Sequence, residues 1–390
     1  MIRTPFFLVP AGLAVAGLSL ASNVLSAGPR LDELVPAGQA VVLAVEDLPA
    51  VRERFEQSPY GRAWADPDVA RFWAPFWQIK EVREWQTELR DETGMGLVEL
   101  AGLISGDLLF CARVEAKSDG ELGGRWLFAA EVGEAEARLR DVLERGGKRL
   151  REGSGHEDPT EDYNGVMIHR FATVSEAGVA EGGAGGELFW ALHEARWFVA
   201  SERQGLTAVL DALAAGGLAS PLAGSPGYRG LLDEAGPPGD FAFLVDVQAI
   251  YPVLSAWSAD KRRAGAAAAS GLDATKMLEA LRLDVLAGLS GRGGFDAEGG
   301  VESSFAIRFS EPRGLAGLLA YVDGPVGRPE WVPASWVEVS TLNFSVAELY
   351  AELERMVSRA SPFAAALMLG QIQSFDQQLK IDLRRDLVGG

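Results

Sequence analysis

The chemistry open to this 390-residue chain starts from three histidines, one cysteine, and a few serine-bearing or acidic loops. His156 stands in the polar loop Gly153-Ser154-Gly155-His156-Glu157-Asp158, His169 in a strand-like run, and His193 at a tight turn. None has the helical His-Glu-x-x-His spacing or another ligand spacing that would hold zinc. The nearest approach to a nucleophile elbow is Gly288-Leu289-Ser290-Gly291, which fails at the last glycine of Gly-x-Ser-x-Gly. Gly291–Gly294 lacks the lysine and helix of a phosphate loop, and Gly94-Met95-Gly96 lacks the third glycine of a dinucleotide loop. Glu157, Asp158, Glu161 and Asp162 crowd one segment and could attract calcium. The ordered alternation and turn glycine of a calcium loop are missing, so a solvated loop is the stronger reading. Asp296 with Glu298 is open to the same objection. Cys111, inside Leu108-Leu109-Phe110-Cys111-Ala112, reads as a buried inert thiol, since a nucleophile needs exposure and a positive neighbourhood. No catalytic residue, cofactor or metal site is nominated.

The one eye-catching cluster is aromatic: Phe72, Trp73, Phe76, Trp77 and Trp85. It could be a ligand platform or partner surface. The i, i+4 pairs Phe72/Phe76 and Trp73/Trp77 are also what a helix pressed on a sheet shows, and the spacing favours core, with Trp73 and Trp77 mostly buried. Pro75 is expected to divide the segment into two helices.

These residues need elements to hold them. Ala40–Val45 is an unbroken apolar run, the mark of a strand covered on both faces. Asp47 and Pro49 then open a helix with Leu48, Val51 and Phe55 on one face. Ser58-Pro59 and Asp66-Pro67 repeat that cap-plus-proline start. Leu108–Val114, Trp126–Val132, Val166–Val174 and Leu188–Ala200 read as strands, with Glu134–Arg145 and Gln204–Ala215 as helices. Phe241–Val247 restarts a strand, and Val285–Leu289 with Val301–Phe309 forms a hairpin with one face toward solvent. The opening unit, Leu34–Glu56, has a relative near the end, Trp331–Arg355. Both begin Val-Pro-Ala, at Val35-Pro36-Ala37 and Val332-Pro333-Ala334, and both lead through a strand into a helix. In the second copy Val346, Leu349, Tyr350, Leu353 and Val357 share one helix face. This copy ends at Gly390 without a following strand, so the last lobe is expected to be incomplete.

The fold class that follows is α+β: repeated strand–helix units with antiparallel hairpins, a mixed or mainly antiparallel sheet, and two lobes. Residues 28–223 form the first lobe and residues 224–390 the second, the boundary lying in the Gly/Pro-rich stretch from Gly224 to Asp240. Residues 1–27 read as a signal peptide: Arg3, the apolar stretch Phe6–Leu20, then small residues, with cleavage between Ala21 and Gly28. The competing reading is an uncleaved anchor, the only membrane contact expected. Net charge is -19, from 36 basic and 55 acidic residues, which repels phosphate backbones and sets nucleic acid aside as a partner.

The Val-Pro-Ala opening, Tyr163-Asn164-Gly165-Val166, Phe198-Val199-Ala200-Ser201, Ser225-Pro226-Gly227-Tyr228 and the Asp296-to-Gly300 turn together give a resemblance. The chain resembles, from about Leu34 onward, the bacterial exported family catalogued as domain of unknown function 3352. That resemblance implies an extracytoplasmic α+β protein and carries no catalytic residues to transfer.

The leading functional reading is an exported, non-enzymatic binding or scaffold protein of the cell envelope, periplasmic or secreted, with an envelope protein as partner. The alternative is a carrier of lipid or another apolar ligand lined by the aromatic helix. A third reading is a hydrolase whose site carries no recognisable motif.

Overall fold

The protein is described by a computed structural model covering residues 28–116, 122–154, 159–172, 187–263, 274–296, 300–318 and 346–379. Those residues build thirteen α-helices and a ten-stranded antiparallel sheet, an α+β fold. Two compact units divide them. One takes the described residues within 28–115, 124–246 and 289–306; the other takes those within 116–123, 247–288 and 307–379.

The first unit opens with β1 (Val41–Val45), followed by five helices: α1 (Leu48–Gln57), α2 (Pro59–Trp64), α3 (Pro67–Trp77), α4 (Lys80–Thr93) and α5 (Leu97–Ala101). Then come β2 (Leu108–Ala116), β3 (Leu122–Glu131), α6 (Glu136–Ser154), β4 (Thr160–Tyr163), β5 (Val166–Ala172), β6 (Glu187–His193) and β7 (Arg196–Ala200). Two more helices, α7 (Arg203–Ala214) and α8 (Pro226–Glu234), precede β8 (Phe241–Asp246). The second unit holds α9 (Val247–Arg263) and α10 (Ala274–Leu281). After the strands β9 (Leu286–Phe295) and β10 (Val301–Phe309), it continues with α11 (Leu315–Leu318), α12 (Val346–Ala360) and α13 (Pro362–Leu379).

Strand order is β10-β9-β8-β1-β2-β3-β7-β6-β5-β4. β1 lies inside the sheet, Val42 facing Cys111 of β2 and Leu244 of β8. The period-2 alternation of strands sends neighbouring side chains to opposite faces. On β3, Leu127 and Ala129 join one core cluster while Phe128 and Ala130 join the other. The first cluster is closed by Leu206, Val209 and Leu210 of α7 and Leu231 of α8. The second is closed by Leu48, Met95, Leu139 and Val142. Both faces of the sheet are therefore covered over its central strands.

Several expectations change. The lobes do not divide at residue 224. The stretch after it forms α8, whose Ser225 Oγ accepts from Tyr228 N, and β8 then pairs along the whole of β1, so residues 224–246 belong to the first unit. Leu188–Ala200 is two strands, because Glu194 and Ala195, at φ 50° and 58°, make a two-residue hairpin turn of the kind that suits strand twist. Pro75 does not divide its segment. It sits in the last turn of α3, where one lost amide bond is tolerated, and the break falls at Gln78 and Ile79. β10 is an edge strand exposed on both faces over Val301–Phe305. On α12, Leu353 is exposed and Glu352 is buried instead, its Oε1 accepting from Gly314 N at 2.5 Å. The signal segment, the strand of the second Val-Pro-Ala copy and residues 380–390 lie outside the described residues.

Candidate functional site

The aromatic cluster is not core where its rings are described. Phe72 is 74% exposed and Trp73 37%. They meet edge to face at 5.3 Å between centroids, and Trp64 of α2 lies 5.7 Å from Trp73. Tyr60 is exposed beside them in sequence on α2. The physical reason is that the sheet face is already filled by Leu48, Met95, Leu103, Ile104 and α6. That leaves no apolar surface for α3 to cover. Phe76 and Trp77 lie on α3 and Trp85 on α4; their side chains are outside the described residues.

The scattered chemical residues are committed elsewhere. Ser290 is fully buried on β9 and donates its Oγ hydrogen to Leu231 O at 2.5 Å. Burial pushes the Cys111 thiol up to about 12. His169 stacks flat on Trp190 at 3.9 Å, and His193 ends β6 within 3.9 Å of Glu194. Glu161 and Asp162 stand on β4 rather than in a loop: Glu161 pairs with Arg203, and Asp162 Oδ1 accepts from Gly165 N at 3.1 Å. His156, Glu157, Asp158 and Glu298 lie outside the described residues. Among the described residues no group of three His, Cys, Asp or Glu could hold a metal.

A concave site does exist, in a place that no sequence motif marks. A cleft of about 310 Å³ opens at the end of the sheet where β1 leaves and β2 and β8 enter. Its floor is apolar, from Ala44, Val45, Leu108, Leu109 and Ala242. Its walls are the turn Leu31–Glu33, the turn Leu222–Gly224 and α8. Charged groups ring it: Asp32, Glu33, Glu46, Asp107 and Asp233 against Arg30, Arg229 and Arg292.

Most of these charges already have partners. Arg30 Nε lies 3.3 Å from Asp32 Oδ1, and Arg30 Nη2 lies 3.4 Å from Glu46 Oε1. The Arg30 amide donates to Glu33 Oε2 at 3.0 Å. Asp107 Oδ1 accepts from the Asp47 amide at 3.0 Å, at the left-handed residue that starts α1. Arg229 donates to Gly224 O and Arg292 to Gly236 O, each at 2.9 Å.

Two groups stand apart. Asp32 Oδ1 is buried, with Arg30 Nε at 3.3 Å as its partner. Burial raises the Asp32 carboxyl above its ordinary value, against the pull of Arg30. Tyr228, only 8% exposed, lines the same cleft, and among the described residues its hydroxyl has no hydrogen-bond partner. Burial first, and the Asp32 charge second, push that phenol up to about 12.

The segment bearing Arg30 and Asp32 is held by a buried arginine. Arg196, which begins β7 after the Glu194-Ala195 turn, donates Nη2 to Pro29 O at 2.9 Å and lies 3.5 Å from Glu131 Oε1. A Cβ at Gly28 would meet Arg196 Nη2 at 3.0 Å, so glycine leaves that approach open.

No family model matches the chain, and no curated protein or solved structure is significantly similar to it.

Proposed function

We propose that this chain is an exported, non-enzymatic binding protein of the bacterial cell envelope that holds its ligand in the cleft at the end of β1. The observation that carries the reading is the Tyr228 hydroxyl, which lines that cleft on a residue only 8% exposed and has no hydrogen bond among the described residues. A phenol hydroxyl in a cleft and without a protein partner leaves one donor and its acceptor lone pairs for a ligand to meet. The commitment of Ser290 to a backbone carbonyl and of Cys111 to the core supports binding over hydrolysis. The leader-like sequence Arg3–Ala27 supports export, and membership of the family catalogued as domain of unknown function 3352 belongs to the same proposal.

Native mass spectrometry of the protein isolated from its own envelope tests the binding role. A small molecule should stay bound and be lost in Tyr228→Phe; a ligand-free chain would count against the cleft. N-terminal sequencing of the exported protein tests the address, since an intact Met1 in the membrane fraction would mean an anchor. A second reading, a carrier of lipid or another apolar ligand, draws on the exposed rings of Tyr60, Trp64, Phe72 and Trp73. A co-purifying lipid lost in Trp73→Ala would favour it.

A further inference from the structure

We propose that β10 is an interface at which two copies of this chain pair antiparallel, edge to edge, about a twofold axis at Phe305. The pairing joins the two sheets into one and is independent of what the cleft holds.

The backbone supplies the first argument. β10 ends the strand order, so β9 covers only one of its two edges. Ser310 N donates to Val285 O at 2.8 Å, and Gly300 O accepts from Asp296 N at 3.0 Å. Both residues are even-numbered, so the even positions between them turn their amides and carbonyls toward β9. Val301, Ser303, Phe305, Ile307 and Phe309 turn theirs outward. Among the described residues none of these backbone groups bonds to an element beyond β9. A strand of nine residues with such a row is a template for another strand.

The opposite edge of the sheet gives the contrast. β4 has only four residues, and two of them, Glu161 and Asp162, are acidic. An edge that is short and carries like charges repels its own copy. β10 has neither protection.

Side chains supply the second argument, because β10 is complementary to itself. Pairing centred on Phe305 sets Phe305 against Phe305, Ser303 against Ile307 and Val301 against Phe309. Every outward-turned residue then meets another, as an antiparallel ladder requires. On the opposite face, the same register sets Glu302 against Arg308 of the second copy, once on each side of the axis. These are the only charges on the strand, and a slip in either direction separates them. Val301 is 43% exposed and Phe305 57%, so apolar surface remains for a partner to cover. Phe305 already rests on Phe243 of β8, 5.9 Å between centroids, and pairing extends that aromatic row into the second copy.

The test is sedimentation velocity of the full chain between about 1 and 100 µM, where a monomer–dimer equilibrium is expected. Ser303→Pro removes an amide hydrogen that points away from β9, so its melting temperature should match the parent. In the dimer the same change breaks the ladder beside the axis and should weaken association at least tenfold. Glu302→Arg sets like charges opposite each other on both sides of the axis and should weaken association about tenfold. Combining Glu302→Arg with Arg308→Glu should restore the parent affinity. If Ser303→Pro does not fold, the charge reversals decide. A parent that stays monomeric overturns the proposal, whatever covers the edge of β10. A dimer that survives both Ser303→Pro and Glu302→Arg uses another surface, and that overturns it as well. A dimer lost in Ser303→Pro but indifferent to Glu302→Arg, or not recovered in the double variant, overturns the register centred on Phe305.

Discussion

Trp190 and Phe72 are both large aromatics in the first unit, and the structure assigns them opposite energetic weight. Trp190 is 1% exposed, lies in the second core cluster and stacks on His169. Replacing a buried tryptophan by alanine costs about 3–5 kcal/mol through lost transfer energy and the cavity left behind. Part of that is returned, because Trp190 Nε1 is buried without an acceptor, and removing such a group relieves about 1 kcal/mol. Trp190→Ala should therefore cost about 2–4 kcal/mol. Phe72 keeps only about a quarter of its side chain from water. At roughly 25 cal/mol per Å² over some ~50 Å², Phe72→Ala should cost about 1 kcal/mol. A chain of two compact units does not warrant a single unfolding free energy, so the readout is native-state hydrogen exchange of the β6 and β7 amides. The reasoning is refuted if Phe72→Ala lowers protection as much as Trp190→Ala does.

Glu352→Ala should destabilise the second unit by about 2–3 kcal/mol, because it leaves the Gly314 amide without the acceptor it now has at 2.5 Å; exchange of the α12 amides measures it. Cys111 should resist iodoacetamide at pH 8 in the folded protein and react after urea unfolding. Its thiol ionises near 9 when exposed and at about 12 when folded, so its contribution favours folding below pH 9 and is lost as pH rises toward 12; the pH dependence of the melting temperature checks this against Cys111→Ala. Asp32 follows the same sign. Its folded carboxyl lies above the ordinary 3.8, so the native state binds the proton more firmly and stability falls as pH rises from 3.8 through the raised value. Asp32→Asn should flatten that decline, and an unchanged slope in urea titrations would show that burial does not govern this carboxyl.

Local chemistry was legible in the residues themselves. Asp47 Oδ1 caps α1 at the Ala50 amide and Ser58 Oγ caps α2 at Gly61, because a short polar side chain beside a proline satisfies an amide within three residues. The central place of β1 and the burial of Cys111 were legible for a similar reason, since an unbroken apolar run belongs inside a sheet. The aromatic helix was misread because i, i+4 spacing says that two rings share a face and nothing about what that face meets. That was decided by α1, α5 and α6, which had already filled the sheet. The cleft was legible nowhere. Arg30, Glu46, Asp107, Tyr228 and Arg292 come from five separate stretches, and each alone reads as a solvated charge or a helix residue. Only the antiparallel pairing of β1 with β2 and β8 brings their ends to one place. Folding there sets Asp32 Oδ1 against the Arg30 guanidinium and leaves the Tyr228 hydroxyl without a partner among the described residues. Hydrogen-bond satisfaction depends on three-dimensional neighbours, so that shortfall belongs to the tertiary structure alone.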